Sequence, residues 1–183
     1  MIHPPFFEHH GEQYSLAHLQ ASQFTLVLQA HNSNPELELL INIEYSNHCY
    51  SEGKPRIHGE PDNLTDHNNR PRWFSLDRYD TSIFLPNIVQ QMHTKKCLFT
   101  GKHNWLIVEI ESNNSSSVPF HIYFTIRKNK RMENGLFIFI ESAYRKTKGG
   151  NIPHRRGRMD RTAFAMLARK TLAGESVRRP AGR

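Results

Sequence analysis

Four apolar runs with a repeat of about two residues, and a fifth that is apolar throughout, constrain this chain more than any other feature, because a β-strand is what puts alternate side chains on one face. In FTLVLQA, Phe24, Leu26 and Leu28 share a side. In ELELLINIEYS, Leu37, Leu39, Ile41, Ile43 and Tyr45 do so, with Glu38, Asn42, Glu44 and Ser46 opposite. The join, HNSNPE, has turn composition, so these two runs are expected to form a hairpin. Further on, Leu106, Val108 and Ile110 share one side of NWLIVEIES. Ile122, Phe124 and Ile126 share one side of FHIYFTIRK, with His121, Tyr123, Thr125 and Arg127 opposite. GLFIFIESAY is apolar on both sides as far as Glu141 and reads as the central strand. The short connections NNSSSVP and NKRMENG make these last three an antiparallel meander.

Between the two groups, residues 47–73 carry Pro, Gly, Asn and Asp without a sustained period and are expected to be loop. A loop of that length inside a compact domain is usually functional or disordered. SLDRYDTSIFLPNIVQQM reads as helix broken near Pro86, with Ile88, Val89 and Met92 on its buried stripe. DRTAFAMLARKTLAGE reads as a closing helix with Asp160 as N-cap, Phe164, Leu167, Ala168, Thr171 and Leu172 inward, and Gly174 as the stop. The expectation is an α+β fold, with one mainly antiparallel sheet of about five strands and helices packed on one face. Residues 1–175 would form a single domain and residues 176–183 a disordered basic tail.

Charge is divided along the chain. Residues 1–126 hold 8 Lys and Arg against 13 Asp and Glu, whereas residues 127–183 hold 16 against 4. An acidic first part and a strongly basic end suggest a phosphate-binding surface near the carboxy terminus, although a solvated charged face has the same composition. Two cysteines, Cys49 and Cys97, are too few for a disulfide framework or a four-thiolate zinc site. No run is apolar for the length a membrane span needs, and MIHPPFFEHHGEQ lacks the regions of a secretion signal. A cytoplasmic location without membrane contact is the corresponding expectation.

With one sheet face under helices, the other decides the chemistry. It would collect Glu38, Asn42, Glu44, Glu109, Glu111, His121, Tyr123, Thr125, Arg127 and Glu141. Acids, a histidine, a tyrosine and arginines on one face are the parts of metal-free RNA cleavage, and also of an ordinary solvated face with cross-strand charge pairs. His48 beside Cys49 in EYSNHCYS reads as a general base, a metal ligand or an activator of a nucleophile. Neighbours on a strand point to opposite faces, however, which leaves Cys49 as a small buried residue. HTKKC puts His93 and Cys97 at helical i, i+4 spacing, but no second matching pair accompanies them, so neither a metal nor another cofactor is expected. KGGN lacks the Gly-Lys-Ser/Thr of a phosphate loop. Arg155, Arg156, Arg158 and Arg161 crowd the start of the last helix, where cations are unfavourable without an anion, and this points to a polyanion contact.

A helix containing LPNIVQQM, then HNWLIVEIE, PFHIYFTIRK and GLFIFIESAYRKTK, a basic loop and a closing helix resemble the barnase, EndoU, colicin and RelE-like ribonuclease superfamily over about residues 76–172. The similarity is to its phage- and plasmid-borne members and RelE-type toxins in particular. That resemblance implies a metal-independent endoribonuclease, a toxin or defence factor from mobile DNA, with Glu141 and Tyr144 at a strand end and Arg145, Lys146 and Lys148 along an RNA cleft. His121 would be an acid or base, and His48 a further candidate for proton transfer. Tyr144 would stack on or orient a base, and Arg127, Arg145, Arg155, Arg156, Arg158 and Arg161 would meet phosphate. RNA and a protein inhibitor or antitoxin are the partners it implies. The rival expectation is a nucleic-acid-binding or inhibitor protein without catalysis.

Overall fold

The computed structural model describes residues 3–55, 64–99, 106–110, 120–145, 161–175 and 177, with residues 106–110 as backbone. The fold is α+β. Strands β1 (Phe6–His9) and β2 (Glu12–Ser15) form a hairpin closed by His10 and Gly11, at φ 51° and 79°. Two successive left-handed residues suit a two-residue hairpin turn, and Gly11 takes that conformation without strain. Strands β3 (Ser22–Leu28) and β4 (Leu37–Tyr45) form the expected second hairpin, with Phe24 opposite Ile41 and Leu26 opposite Leu39.

The segment 47–73 departs from its expected irregularity. It contains a 3₁₀ turn at Asn47–Cys49 and strands β5 (Ser51–Glu52), β6 (Leu64–Thr65) and β7 (Pro71–Phe74), which form a small antiparallel sheet in the order β5-β7-β6. Strands of two and four residues are too short to show a repeat in the sequence. Helices α1 (Leu76–Ser82) and α2 (Leu85–Gln90) follow, with Pro86 in the first turn of α2, where its missing amide costs nothing.

The second half adds β8 (Lys96–Phe99), β9 (Leu106–Ile110), β10 (Phe120–Lys128), β11 (Gly135–Arg145), β12 (Arg161–Ala163) and α3 (Phe164–Leu172). Seven strands pair in the order β12-β8-β9-β10-β11-β4-β3, two more strands than the alternating runs alone define. The meander β9-β10-β11 is as expected, and every pairing is antiparallel except β11 with β4, which runs parallel from Gly135 opposite Leu40 to Ile140 opposite Tyr45. That parallel joint fuses the two strand groups.

One face of the sheet carries Leu39, Ile41, Ile43, Ile122, Phe124, Leu136, Ile138 and Ile140, all buried. Leu85 and Val89 of α2 and Phe164, Leu167 and Ala168 of α3 belong to the same core cluster. Burying each such large side chain is worth roughly 1.5–3 kcal/mol. The α3 stripe is as expected, and Gly174, at φ 72°, follows its end. Its start is not. Residues 161–163 pair with β8 as the edge strand of the sheet, so the helix begins at Phe164 and its N-cap is Ala163, without a side-chain cap bond. Sheet pairing satisfies the backbone there, and Arg161 is an exposed edge-strand residue opposite Leu98. Asp160 lies outside the described residues. Among the described residues, no helix is long and apolar enough to cross a membrane.

Candidate active site at the end of the sheet

Glu141 owes its position to a break in pairing. Tyr123 faces Ser142 and the next residue, Phe124, faces Ile140, so Glu141 is the extra residue of a β-bulge. On the other side of β11 the ladder to β4 is ending, with the Ser46 amide donating to the Ile140 carbonyl at 2.9 Å. Bulges re-aim side chains and are frequent beside active sites. Glu141 is buried, and burial pushes its carboxyl above the ordinary value, a shift that nearby His67 opposes.

The segment that leaves β4 returns to this place. Ser46 Oγ accepts from the His48 amide at 3.0 Å and starts the 3₁₀ turn. His48 Nε2 lies 3.0 Å from Asp66 Oδ2, with Asp66 almost fully enclosed. Asp66 organises its own loop: Oδ1 accepts from the amides of Asn68 (2.8 Å) and Arg70 (3.0 Å), and Oδ2 from Arg70 Nε (3.0 Å). Asn69, at φ 58°, supplies the left-handed residue that this turn needs. Burial alone would raise the Asp66 pKa; the two amides, His48 and Arg70 outweigh it and hold the carboxyl well below the usual range. An ionised Asp66 only accepts, so His48 Nε2 must donate, which leaves His48 Nδ1 with a lone pair. Burial, followed by Arg72, pushes the His48 pKa down to about 4, so the ring is neutral at pH 7.

His67 connects these groups. Its ring centroid is 6.0 Å from that of His48 and 6.0 Å, edge-on, from that of Phe139 on the second face of the sheet. Arg78 of α1 donates from Nη1 to the His48 carbonyl at 2.9 Å and lies 4.9 Å over the Tyr144 ring. The Tyr144 hydroxyl donates to that of Tyr123 at 3.1 Å, with the rings stacked at 5.6 Å. A cleft of about 540 Å³ opens beside them, lined by Arg78, Tyr144 and Arg145 together with Phe84, Glu52 and Asp77. Burial and the nearby Arg78 lower the Arg72 pKa to about 10, a sign of how densely cations gather here.

Of the sequence candidates, Glu141, His48 and Tyr144 are gathered at this end of β11, and Arg145 lines the cleft. His121 stands opposite Tyr144 in the register, on the second face as expected, but is 1% exposed. Arg127 lies on the same face six positions along β10 from His121, or about 20 Å at strand spacing. Arg161 is four strands away from β11, and not within a helix start. Lys146, Lys148, Arg155, Arg156, Arg158 and Glu111 lie outside the described residues. Cys49 is enclosed, and burial pushes its thiol up to about 12, so it is no nucleophile at neutral pH. His93 and Cys97 do not share a helix: His93 sits in the 3₁₀ turn Met92–Thr94 and Cys97 is buried in β8. Asp66, His67, Arg72 and Arg78 are additions from the structure. The pattern Asp-His-Asn-Asn, a side-chain-capped turn by composition, was the available signal for the first two.

The molecule is thus an α+β protein with a His–Asp pair, a buried carboxyl and an arginine-backed tyrosine pair at one end of a mixed sheet. The chain belongs to the YjaZ family, whose model matches residues 6–172. No curated protein and no solved structure matches it.

Proposed function

We propose that this is a metal-independent endoribonuclease, acting in the cytoplasm as a toxin or defence factor and restrained by a protein inhibitor. The reading rests on the convergence of Glu141 with the His48–Asp66 pair, two groups whose surroundings move their pKa values in opposite directions from the ordinary ones. Burial keeps the His48 ring neutral, with a lone pair that accepts a proton, and favours the protonated form of Glu141, which can donate one. His48 Nδ1 accepts the proton of a ribose 2′-hydroxyl, whose oxygen attacks the adjacent phosphorus. The carboxyl of Glu141 protonates the departing 5′-oxygen, leaving a 2′,3′-cyclic phosphate and a 5′-hydroxyl. Arg78 and Arg145 face the phosphate, and Tyr144 stacks on or orients a base.

Incubation with total bacterial RNA, with and without EDTA, tests this. Cleavage is expected to survive EDTA, to yield cyclic phosphate ends, and to fall by at least about 100-fold in Glu141→Gln. RNA left intact by folded wild-type protein overturns it. The burial of Glu141 and His121 favours a second reading, a nucleic-acid-binding protein without catalysis in which the polar cluster only holds β11, the small sheet and α1 together. On that reading RNA binds with a steep salt dependence and is not cut.

A further inference from the structure

A second cleft lies at the other end of the sheet from Glu141. It measures about 800 Å³ and is formed by the β10–β11 hairpin and the end of α3. Arg127, Lys128, Lys130 and Arg131 line it, with Glu175 as the only acid among the described residues of its wall. Lys128 donates to the Leu172 carbonyl at 2.8 Å, a normal use of a cation at a helix carboxy terminus. The other three have no such use. No carboxylate among the described residues lies within ion-pair distance of Arg127, Lys130 or Arg131. Arg127 is laid on the Phe137 ring at 4.2 Å, which fixes a guanidinium plane at the surface before any ligand arrives.

The hairpin itself is braced. Asn129 Oδ1 accepts from the Arg131 amide at 3.1 Å, and the Asn129 amide donates to the Gly135 carbonyl at 2.8 Å. A Cβ on Gly135 would come within 2.7 Å of the Met132 Cβ, so glycine permits this close turn. The cleft also continues. A second hollow of about 280 Å³ shares Asn129 and Phe137 with it and runs over Gln23 and Asn42 on the second face of the sheet as far as Glu44. Cations at one end, a fixed guanidinium plane, then the amides of Gln23 and Asn42 suit a single strand, with phosphate, stacked base and base edges in turn, and Glu44 closes the stretch to further phosphate.

We propose that this groove is a second binding site for the backbone of single-stranded RNA, engaging a stretch of the substrate distant from the scissile bond. The proposal rests on RNA being the ligand of the protein. Its distance from the catalytic end, about 20 Å along β10, makes its contribution dependent on the length of the RNA. A short substrate reaches one site, and a long one spans both.

The test uses the full chain, labelled 2′-O-methyl RNA of 4 and 16 nucleotides, which cannot be cut at the 2′-oxygen, and the double variant Lys130→Ala/Arg131→Ala. Anisotropy titrations over a range of KCl should show the 16-mer bound about 10-fold or more weaker by the variant, with the salt slope reduced by about 1.4 for two lost phosphate contacts. The 4-mer, cleavage of a dinucleotide and the melting temperature should not change, and Lys130→Arg/Arg131→Lys should restore 16-mer binding. Unchanged 16-mer affinity and slope in the double variant overturn the proposal, as does a loss confined to phosphatidylserine vesicles with no oligonucleotide bound. Loss of 16-mer binding in a protein that cuts no RNA supports the groove and refutes only the catalytic reading.

Discussion

The burial of Glu141 gives it a measurable signature. Its pKa is raised in the folded protein, so the unfolded chain releases the proton first as pH rises, and ionisation costs stability at neutral pH. Glu141→Gln is therefore expected to raise the melting temperature at pH 7 while abolishing cleavage. A lower melting temperature would mean that the carboxylate holds the fold together. His48 works the other way. The unfolded ring takes up a proton near 6.5 and the folded one only near 4, so stability is intact above pH 6.5 and is lost as pH falls toward 4. His3 and His18, both lowered chiefly by burial, add to the same slope. Melting temperatures measured between pH 7 and 4 should fall less steeply in His48→Gln than in wild type; an equal slope would remove His48 from this account. His48 and Glu141 were legible in the sequence as chemical types. Asp66 was not, because what distinguishes it is three hydrogen bonds supplied by a turn that sequence alone reads as irregular, and a fourth from His48.

At the level of the element, β11 is a regular strand with one residue inserted. Without Glu141, Ile140 and Ser142 would follow as neighbours, one toward the core and one away from it, and Ala143 and Tyr144 would keep the faces they now have. Deletion of Glu141 is thus expected to leave the circular dichroism spectrum and the pairing of β10 with β11 intact while removing activity. Loss of the fold would show that the bulge itself is required. The alternating runs disclosed β3, β4, β9 and β10 correctly, because each is long and one-sided enough to display its repeat, and β11 showed itself as a run apolar on both faces. They could not disclose β5 to β8 or β12, which are two to four residues long, nor the start of α3. There, Arg161–Ala163 has helical composition but pairs with the edge of β8. Tertiary hydrogen bonding outweighed local preference at that point.

Across the whole molecule, the core is held by side chains from both halves. Phe124, 0% exposed near the middle of the sheet, is its most central aromatic on β10, and Phe124→Ala is expected to cost about 3–5 kcal/mol in urea unfolding. A cost below about 1 kcal/mol would imply a loosely packed sheet. The division into an acidic beginning and a basic end, visible in composition, corresponds in space to something less simple, since Arg70, Arg72 and Arg78 from the acidic part join the site. The parallel joint between β4 and β11 has a consequence in time. Each hairpin closes from nearby residues, but the joint brings Leu40 beside Gly135 and must close a far longer loop. His48 arrives with the first half and Glu141 with the second, so a chain emerging from the ribosome carries both hairpins' sequences before it carries a site. On the ribonuclease reading proposed above, the ribosome that makes the chain meets that chemistry only after the last joint has formed, which leaves an interval for the proposed inhibitor to bind the nascent chain first.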